Sequence, residues 1–226
     1  MSKNSEDHWI PLADLMTGLM MVFMLIAILY MHKIGSAASE YSSSKSSLGR
    51  DLCQEFANDL SGWDAECDQQ NLVVRFKSPD VLFDTGSDRL KPEFIAILND
   101  FFPRYIEVLS KSQYKNKIEE IRIEGHTSSH WRIGVSDDQA YFMNMQLSQA
   151  RTLSVLQYLL TSPSIKDKDW VKKYLTANGL SSSKLIYNED GSENQQGSQR
   201  VEFKVRTKAD EYIQNIIDDL GQESRQ

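Results

Sequence analysis

The sequence predicts an α+β protein with a single N-terminal transmembrane helix, a linker and one mixed domain. Three observations support this: an apolar run long enough to cross a bilayer, a polar segment after it, and alternating strand and helix patterns from residue 71 onward. The predicted boundaries are a short tail (1–9), the transmembrane helix (10–32), a linker or plug with a short helix (33–70), the domain (71–207) and a helical tail (208–226).

The N-terminal helix carries one carboxylate inside its apolar run. Between Ile10 and Met31 the strongly polar side chain is Asp14, with the milder Thr17 about one turn further on. A helix of this length spans roughly 33 Å, about the thickness of the hydrocarbon layer. Ionisable residues inside membranes are costly and usually functional, so we predict that Asp14 and Thr17 carry ions. The alternative is an interfacial Asp14 that caps the helix N-terminus.

A cleaved signal peptide is the competing interpretation of this segment, because the small residues at 35–39 resemble a cleavage site. Three features argue against cleavage. The residues before the run have two acids and only one lysine, the run is longer than that of a typical signal peptide, and it contains an acid. More lysine and arginine residues follow the helix than precede it, which weakly favours a cytoplasmic C-terminus.

The segment after the apolar run changes abruptly in composition. Residues 33–50 are rich in Ser, Ala and Gly without apolar periodicity, so we predict a linker or plug. Apolar residues at spacings of four from Leu52 to Leu60 then predict a short amphipathic helix. The two cysteines are Cys53 and Cys67; a disulfide in an oxidising compartment and two buried free thiols fit the sequence equally well.

The pattern from residue 71 predicts the order β-α-β-α-β-β, with helices packed on a small mixed sheet. Alternating apolar residues predict strands at 71–76, 117–127, 184–187 and 200–206. Helical spacing predicts helices at 91–109, 140–160, near 170–177 and, in the tail, at 208–220. Phe94, Phe101 and Tyr158 are predicted core residues.

Composition argues against several function classes. A net charge of -7 with a pI near 5.2 argues against nucleic acid as a partner. Two cysteines and scattered histidines argue against a metal site. The sequence has no arrangement of nucleophile, histidine and acid and no phosphate-binding loop, so we predict that the chain is not an enzyme and has no cofactor besides H+ or Na+ as coupling ion.

The run PLADLMTGLMMVFMLI resembles the single transmembrane helix of B-type stator subunits of ion-driven rotary motors, the flagellar MotB kind. It is most similar to the B subunits of Zorya anti-phage defence systems, with Asp14 at the matching place. The resemblance implies a homodimer within a pentamer of A-type membrane subunits, in which the two Asp14 carboxylates load and release ions in alternation. It also implies a bacterial inner-membrane protein with a cytoplasmic N-terminus and a periplasmic remainder, which overrides the charge count.

Four stretches of the domain, VLFDTGSDRLKP, IRIEGHTS, NMQLSQAR and QRVEFKV, are similar to the OmpA C-terminal family of peptidoglycan-binding domains. The spacing of Asn144, Leu147 and Arg151 matches the family's N-x-x-L-S-x-x-R-A signature, with Thr152 in place of the Ala. The resemblance implies that Arg151 binds a carboxylate of the stem peptide with two parallel donors. Asn144 would supply amide hydrogen bonds, and Leu147 would shape the pocket wall.

Thr127 and Ser128 complete the predicted peptidoglycan-binding set, and Ser128 departs from the family pattern. The family usually has G-H-T-D after the second strand, and Ser128 occupies the position of the Asp. The acid that would meet the ligand's ammonium is therefore missing, unless one of the aspartates at 137–138 replaces it. The family counterparts of His126 and Arg200 lie at strand ends, so we predict structural roles for both.

These resemblances together predict the B subunit of an inner-membrane rotary motor that is anchored to peptidoglycan. Its predicted function is in anti-phage defence, with cytosolic defence effectors as indirect partners. A flagellar-type stator subunit is one alternative. A passive wall-tethering membrane protein, in which the helix only anchors the chain, is the other.

Overall fold

The computed structural model of the chain describes residues 9–77, 82–208 and 210. The chain divides into two compact units, Met1–Ser43 and Ser44–Gln226. The predicted α+β fold class is confirmed: an apolar N-terminal helix precedes a mixed sheet with helices. Apart from residues 208 and 210, the predicted C-terminal helix lies outside the described residues, as does most of the N-terminal tail.

Helix α1, Trp9–Phe56, contains the apolar run. Its segment Leu12–Lys33 has a mean hydropathy of 2.3 and is, within the described parts of the chain, the one stretch long and apolar enough to cross a membrane. All of its side chains are exposed on the single chain, as a helix that faces lipid or partner subunits requires. Residues 33–50, predicted as a linker, are helical, and they contain no proline to interrupt the backbone hydrogen bonds.

The second unit contains the remaining helices and all the described strands. The strands are β1 (Ala65–Asp68), β2 (Val73–Phe76), β3 (Ile118–His126), β4 (Leu175–Gly179) and β5 (Arg200–Thr207). The helices are α2 (Pro92–Leu109), α3 (Asp137–Thr161), α4 (Lys168–Tyr174) and α5 (Gln195–Ser198). Helix α2 has Pro92 in its first turn, where the missing N–H costs nothing, and a second proline, Pro103, inside the helix. Helix α3 begins with a capping box, in which Ser136 is the N-cap residue and Gln139 is the third residue of the helix.

The strands form a five-stranded sheet in the order β1-β2-β5-β3-β4. Neighbours are antiparallel except β3 and β4, which are parallel. A parallel pair needs a crossover connection, and α3 and α4 supply it. The strand that comes last in the described sequence, β5, therefore lies at the centre of the sheet.

Phe101 on α2 lies at the centre of the hydrophobic core. Its ring centroid is 4.9 Å from that of Phe56 at the end of α1, 4.9 Å from that of Phe203 on β5 and 5.1 Å from that of Phe76 on β2. All four rings are fully buried. Aromatic pairs at these separations add to the free energy gained by burial, so this cluster joins the helices to the sheet.

The C-terminal part of α1 belongs to this core. Leu48, Leu52 and Phe56 are buried in it, at the spacing of four that places them on one helix face. The predicted short helix is therefore the end of α1. The second unit begins at Ser44, earlier than the domain boundary predicted at residue 71.

The fourth strand is not where the sequence predicted it. Strand β4 follows α4 directly and pairs with β3, with Ile121 opposite Leu175. The predicted strand at 184–187 is wrong, because this segment makes a single bridge, between Tyr187 and Glu193. Strand β1 was not predicted; it pairs with β2 at one edge of the sheet.

Cys53 near the end of α1 and Cys67 on β1 form a disulfide, with 5.5 Å between their Cα atoms. Of the two alternatives that the sequence left open, the structure has the bonded pair. The bond connects the last turns of α1 to the edge strand of the sheet.

Candidate functional site

One cleft of the second unit, about 310 Å³ in volume, collects the five side chains predicted to bind peptidoglycan. These are Thr127, Ser128, Asn144, Leu147 and Arg151, and the cleft is named the Arg151 cleft below. Four parts of the chain build it: the loop after β3, the middle of α3, the turn at 84–87 before α2, and the short helix α5 with the residue that follows it. Signature residues from separate parts of the sequence thus come together in space.

Arg151 is 8% exposed and is held by the backbone of the turn before α2. Its Nε donates to the carbonyl of Ser87 at 2.9 Å, and one terminal nitrogen donates to the carbonyl of Asp84 at 3.4 Å. The guanidinium carbon lies 4.8 Å from the centre of the Phe83 ring, a cation–π distance. These contacts fix the guanidinium plane at the wall of the cleft.

Asn144 uses its amide donors on the protein. It is 3% exposed, and its Nδ2 donates to the carbonyl of Ser128 at 3.1 Å and to that of His130 at 3.2 Å. A buried amide must find such partners, because an unpaired donor costs free energy. The amide hydrogens predicted for the ligand therefore hold the loop after β3 instead.

Thr127 and Ser128 lie at the start of that loop, and both are buried. The N–H of Thr127 donates to the carbonyl of Ser181 at 2.9 Å, which continues the contact between the ends of β3 and β4. Its Oγ1 is buried without a hydrogen-bond partner among the described residues. A buried hydroxyl in that state beside a cleft is a position for a ligand or water to bind.

The aspartates proposed to replace the missing acid do not line the Arg151 cleft. Asp137 and Asp138 line an adjoining cleft at the start of α3. Asp137 and Arg151 are fourteen positions apart on α3, a distance of roughly 21 Å along the helix axis. Neither carboxylate is therefore placed to meet a ligand ammonium next to Arg151.

Glu193 is an acid beside the cleft that the sequence analysis missed. Its carboxylate accepts the N–H of Ser129 at 2.9 Å and the hydroxyl of the same residue, and lies 3.7 Å from Nδ1 of His130. It secures the loop after β3 in addition to the bonds from Asn144. An acid in a polar loop without periodicity carries no sequence signal. Further lining residues that were missed are Thr85, Gly86, His130, Trp131, Gln195 and Gln199.

A second ionisable cluster lies on the sheet face opposite the core. Glu124, His126 and Glu202 are buried, and their potential ligand atoms lie within 4.8 Å of one another. Nε2 of His126 is 3.8 Å from Glu202 and 3.9 Å from Glu124, too far for hydrogen bonds. Arg75 and Arg200 donate to Glu202 at 2.7 Å and 2.6 Å. Because these guanidinium groups already offset the carboxylate charge, the cluster is an ion-pair network and a weak site for a cation.

The charges of this cluster set its protonation states. Burial, and then the positive charge of Arg200, lower the pKa of His126 to about 4. His126 is therefore neutral near pH 7. Burial alone would raise the pKa of Glu202, but hydrogen bonds from Arg200 and Arg75 outweigh it and keep the pKa below its ordinary value.

Asp14 and Thr17 lie near the beginning of the apolar segment of α1. The Thr17 hydroxyl donates to the carbonyl of Ala13 at 2.8 Å, so it bonds to its own helix. Asp14 is exposed on the single chain and is the one acidic residue between Leu12 and Lys33. A carboxylate surrounded by apolar side chains needs water, a cation or a partner subunit to be stable in a membrane.

The chain has relatives along nearly its full length. It is 49% identical over 220 residues to the Zorya protein ZorB of Escherichia coli Crooks, covering 94% of this chain and 93% of that protein. The Zorya protein ZorB of an Escherichia coli ETEC strain is 23% identical over 236 residues, covering 91% of this chain and 86% of that protein.

The domain and its fold have relatives of their own. Residues 82–168 match the OmpA family. The crystal structure of a MotB-like protein from Desulfovibrio vulgaris has the same fold, with a TM-score of 0.51 and 22% identity over 76% of this chain and 99% of that chain. Identity of 49% across 94% of the sequence is decisive for the family: the chain belongs to the Zorya protein ZorB family.

Proposed function

We propose that the chain is the B subunit of an ion-driven rotary motor of the inner membrane that serves anti-phage defence. The observation that carries the proposal is that one chain of the ZorB family combines a lone carboxylate in an apolar span with the Arg151 cleft. In this proposal α1 crosses the membrane with its N-terminus in the cytoplasm. The second unit lies in the periplasm and binds peptidoglycan.

The anchoring role rests on the construction of the Arg151 cleft. Backbone carbonyls hold the guanidinium before a ligand arrives, so little side-chain entropy is lost on binding a stem-peptide carboxylate. The guanidinium offers such a carboxylate a charge-assisted hydrogen bond. Asn144 and Glu193 keep the loop in place, so that Thr127 and Ser128 stay beside the ligand.

The ion-carrying role rests on the position of Asp14. In a homodimer surrounded by a pentamer of A-type subunits, protein would cover each Asp14 on the membrane face that the single chain leaves exposed. The two carboxylates would then load and release H+ or Na+ in alternation, with Thr17 nearby on the same helix. Because the wall holds the second unit still, ion passage would turn the pentamer and deliver torque to cytosolic defence effectors.

A passive wall tether is the second candidate, and Asp14→Asn separates the two. The substitution preserves size and helix insertion but removes the charge cycle, so a motor loses function and a tether keeps it. We expect phage protection, measured as plating efficiency in cells with the complete defence system, to fall to the level of cells without the system. Retention on isolated peptidoglycan should not change.

Asp190→Asn is the matched control for this experiment, because it makes the same substitution at a loop aspartate whose Oδ1 accepts bonds from Ser192. An amide oxygen can accept the same bonds, so protection should persist. Full protection in the Asp14→Asn strain would rule out the motor and leave the tether.

Arg151→Ala tests the wall anchor. Loss of a charge-assisted contact of about 1.5–3 kcal/mol should weaken binding of the full-length chain to isolated peptidoglycan roughly 10- to 100-fold in a sedimentation assay. Arg89→Ala, at an exposed arginine outside the cleft lining, should bind as the wild type does. Equal retention of the two variants would remove Arg151 from the site.

A further inference from the structure

The C-terminal end of α1 lies in the second unit and packs there along one face. Leu48, Leu52 and Phe56 are at most 2% exposed. They recur at every fourth position, so they form one stripe along the helix. If this part of α1 rolled about its own axis, the stripe would leave the core and meet water, which is unfavourable. Residues 45–56 are named the clamp segment below.

Side chains on both flanks of this stripe also hold the clamp segment. Successive residues of a helix lie about 100° apart around its axis, so Asp51 and Cys53, on either side of Leu52 in sequence, lie on opposite flanks. On one flank, Cys53 is bonded to Cys67 on β1. This bond ties one side of the clamp segment to the edge strand of the sheet.

Hydrogen bonds hold the other flank. The carboxylate of Asp51 accepts the hydroxyl of Tyr114, in the turn before β3, at 2.9 Å. Glu55 precedes Phe56 in sequence and therefore lies on the same flank as Asp51. The Glu55 carboxylate accepts Nε–H of Arg104 on α2 at 2.8 Å, and the Glu55 carbonyl accepts a terminal N–H of the same guanidinium at 2.9 Å. A helix fixed on both flanks cannot roll in either direction without breaking these contacts.

A rotary motor needs such a restraint in its static part. The turning pentamer exerts an equal and opposite torque on the B subunit, and a membrane helix that could roll would turn with the pentamer. No torque would then reach the cytoplasm. Because α1 is one helix from Trp9 to Phe56, its backbone hydrogen bonds resist twisting, and a restraint on the clamp segment also acts on Asp14.

We propose that the clamp segment locks α1 rotationally to the second unit and thereby fixes the direction in which Asp14 faces the pentamer. Cys53, Cys67 and Arg104 are positioning residues in this proposal, because they hold the two flanks. The proposal rests on the proposed motor function. It adds to that function the side chains that carry the reaction torque from the membrane helix to the wall-bound unit.

The test inserts alanines after Ser43, which leaves the clamp segment unchanged. Alanine keeps the segment helical. Two alanines turn Asp14 by about 200° around the helix axis, whereas seven turn it by about 700°, which is within about 20° of two full turns. We expect the two-residue insertion to reduce phage protection, measured as plating efficiency, to the level of cells without the defence system. The seven-residue insertion should keep protection, although it lengthens the helix by roughly 10 Å. Both variants should be retained on isolated peptidoglycan as the wild type is.

A second variant opens the clamp on both flanks. Cys53→Ser with Cys67→Ser removes the disulfide, and Arg104→Ala in the same chain removes the bonds to Glu55. We expect at least a tenfold loss of phage protection, with near-ultraviolet circular dichroism and retention on isolated peptidoglycan preserved. Lys115→Ala is the control, because Lys115 contacts Asp167 at 3.2 Å and that contact does not involve α1. It should protect as the wild type does.

The outcomes that would overturn the proposal are distinguishable. If the two insertions give equal protection, whether full or absent, while Asp14→Asn loses it, the clamp is wrong and the motor stands. Full protection by the folded open-clamp variant would remove the disulfide and Arg104 from the clamp. If Asp14→Asn keeps full protection, the proposed motor function fails, and the clamp fails with it. Because the insertions leave the second unit intact, they decide the question even if the open-clamp variant does not fold.

Discussion

Asn144 and Arg151 lie seven positions apart on α3, about two turns, so they occupy the same helix face. Their roles in the cleft differ. Asn144 holds the loop after β3, whereas Arg151 is held by the turn before α2. Asn144 organises the protein, and Arg151 is the residue that we propose for ligand binding.

His126 makes the stability of the second unit depend on pH. Its pKa is about 4 in the folded chain, below the ordinary value near 6.5 for an unfolded histidine. Between these values the unfolded chain binds a proton that the folded chain does not, so stability falls as the pH falls. We expect a loss on the order of 3 kcal/mol from about pH 6.5 to about pH 4, measured by urea unfolding followed by near-ultraviolet circular dichroism.

The control for this prediction is His126→Gln, which has no proton to gain in this range. Its stability should vary less with pH than that of the wild type over the same interval. The remaining slope would come from carboxylates such as Glu202, whose lowered pKa makes its contribution disappear at more acidic pH. Identical slopes for the two proteins would contradict the assignment to His126.

At the level of single residues, the sequence was sufficient to select part of the lining of the Arg151 cleft. The family signature selected Asn144, Leu147 and Arg151, and all three line it. The hydrogen-bond partners were not predictable, because helical spacing defines a face but does not say which loop packs on it. Glu193 was missed for the same reason: its role depends on a loop–loop contact far away in sequence.

Helix α3 and strand β4 pack so closely that one position requires glycine. A Cβ on Gly179 would lie 2.4 Å from the backbone nitrogen of Gln149 and 2.6 Å from its Cα. Backbone atoms of a helix cannot move aside cheaply, so Gly179→Ala should destabilise the chain by about 3 kcal/mol in urea unfolding. Binding to peptidoglycan should also weaken, because the segment after β4 holds the N–H of Thr127 through Ser181.

Gly62→Ala is the matched control at this level. A Cβ there would meet its nearest neighbour, the carbonyl oxygen of Asp59, at 3.5 Å, an ordinary contact. Its unfolding midpoint should stay close to that of the wild type. A Gly179→Ala protein as stable as the Gly62→Ala protein would show that α3 and β4 can separate without cost.

Long periodic elements were predictable, and short ones were not. Helix α3 extends from Asp137 to Thr161, against a prediction of 140–160, and residues at helical spacing from Ala140 to Leu159 form its buried face. Strand β4 has the sequence LTANG, which is poor in β-branched and aromatic residues. It is a strand because β3 offers a parallel partner, and that information lies elsewhere in the chain.

For the whole molecule, the sequence predicted the fold class and the order of the main elements. The sequence pattern predicted a separate short helix around Leu52 and Phe56. In the structure these two residues are the packed end of α1, so the second unit begins earlier than the predicted domain. Local spacing could show that this helix has an apolar face. Only the tertiary structure shows that the aromatic cluster around Phe101 covers that face.

The central position of β5 has a consequence for how the protein is made. Because β5 pairs with both β2 and β3, the two halves of the sheet have no connection through hydrogen-bonded strands until residues 200–207 arrive. A ribosome synthesises the chain from the N-terminus, so most of it must emerge before the sheet can close. Pairing between β2 and β5 also joins residues distant in sequence, which slows folding. The nascent chain therefore emerges from the ribosome with unpaired apolar strands, which a chaperone can cover until β5 has been synthesised.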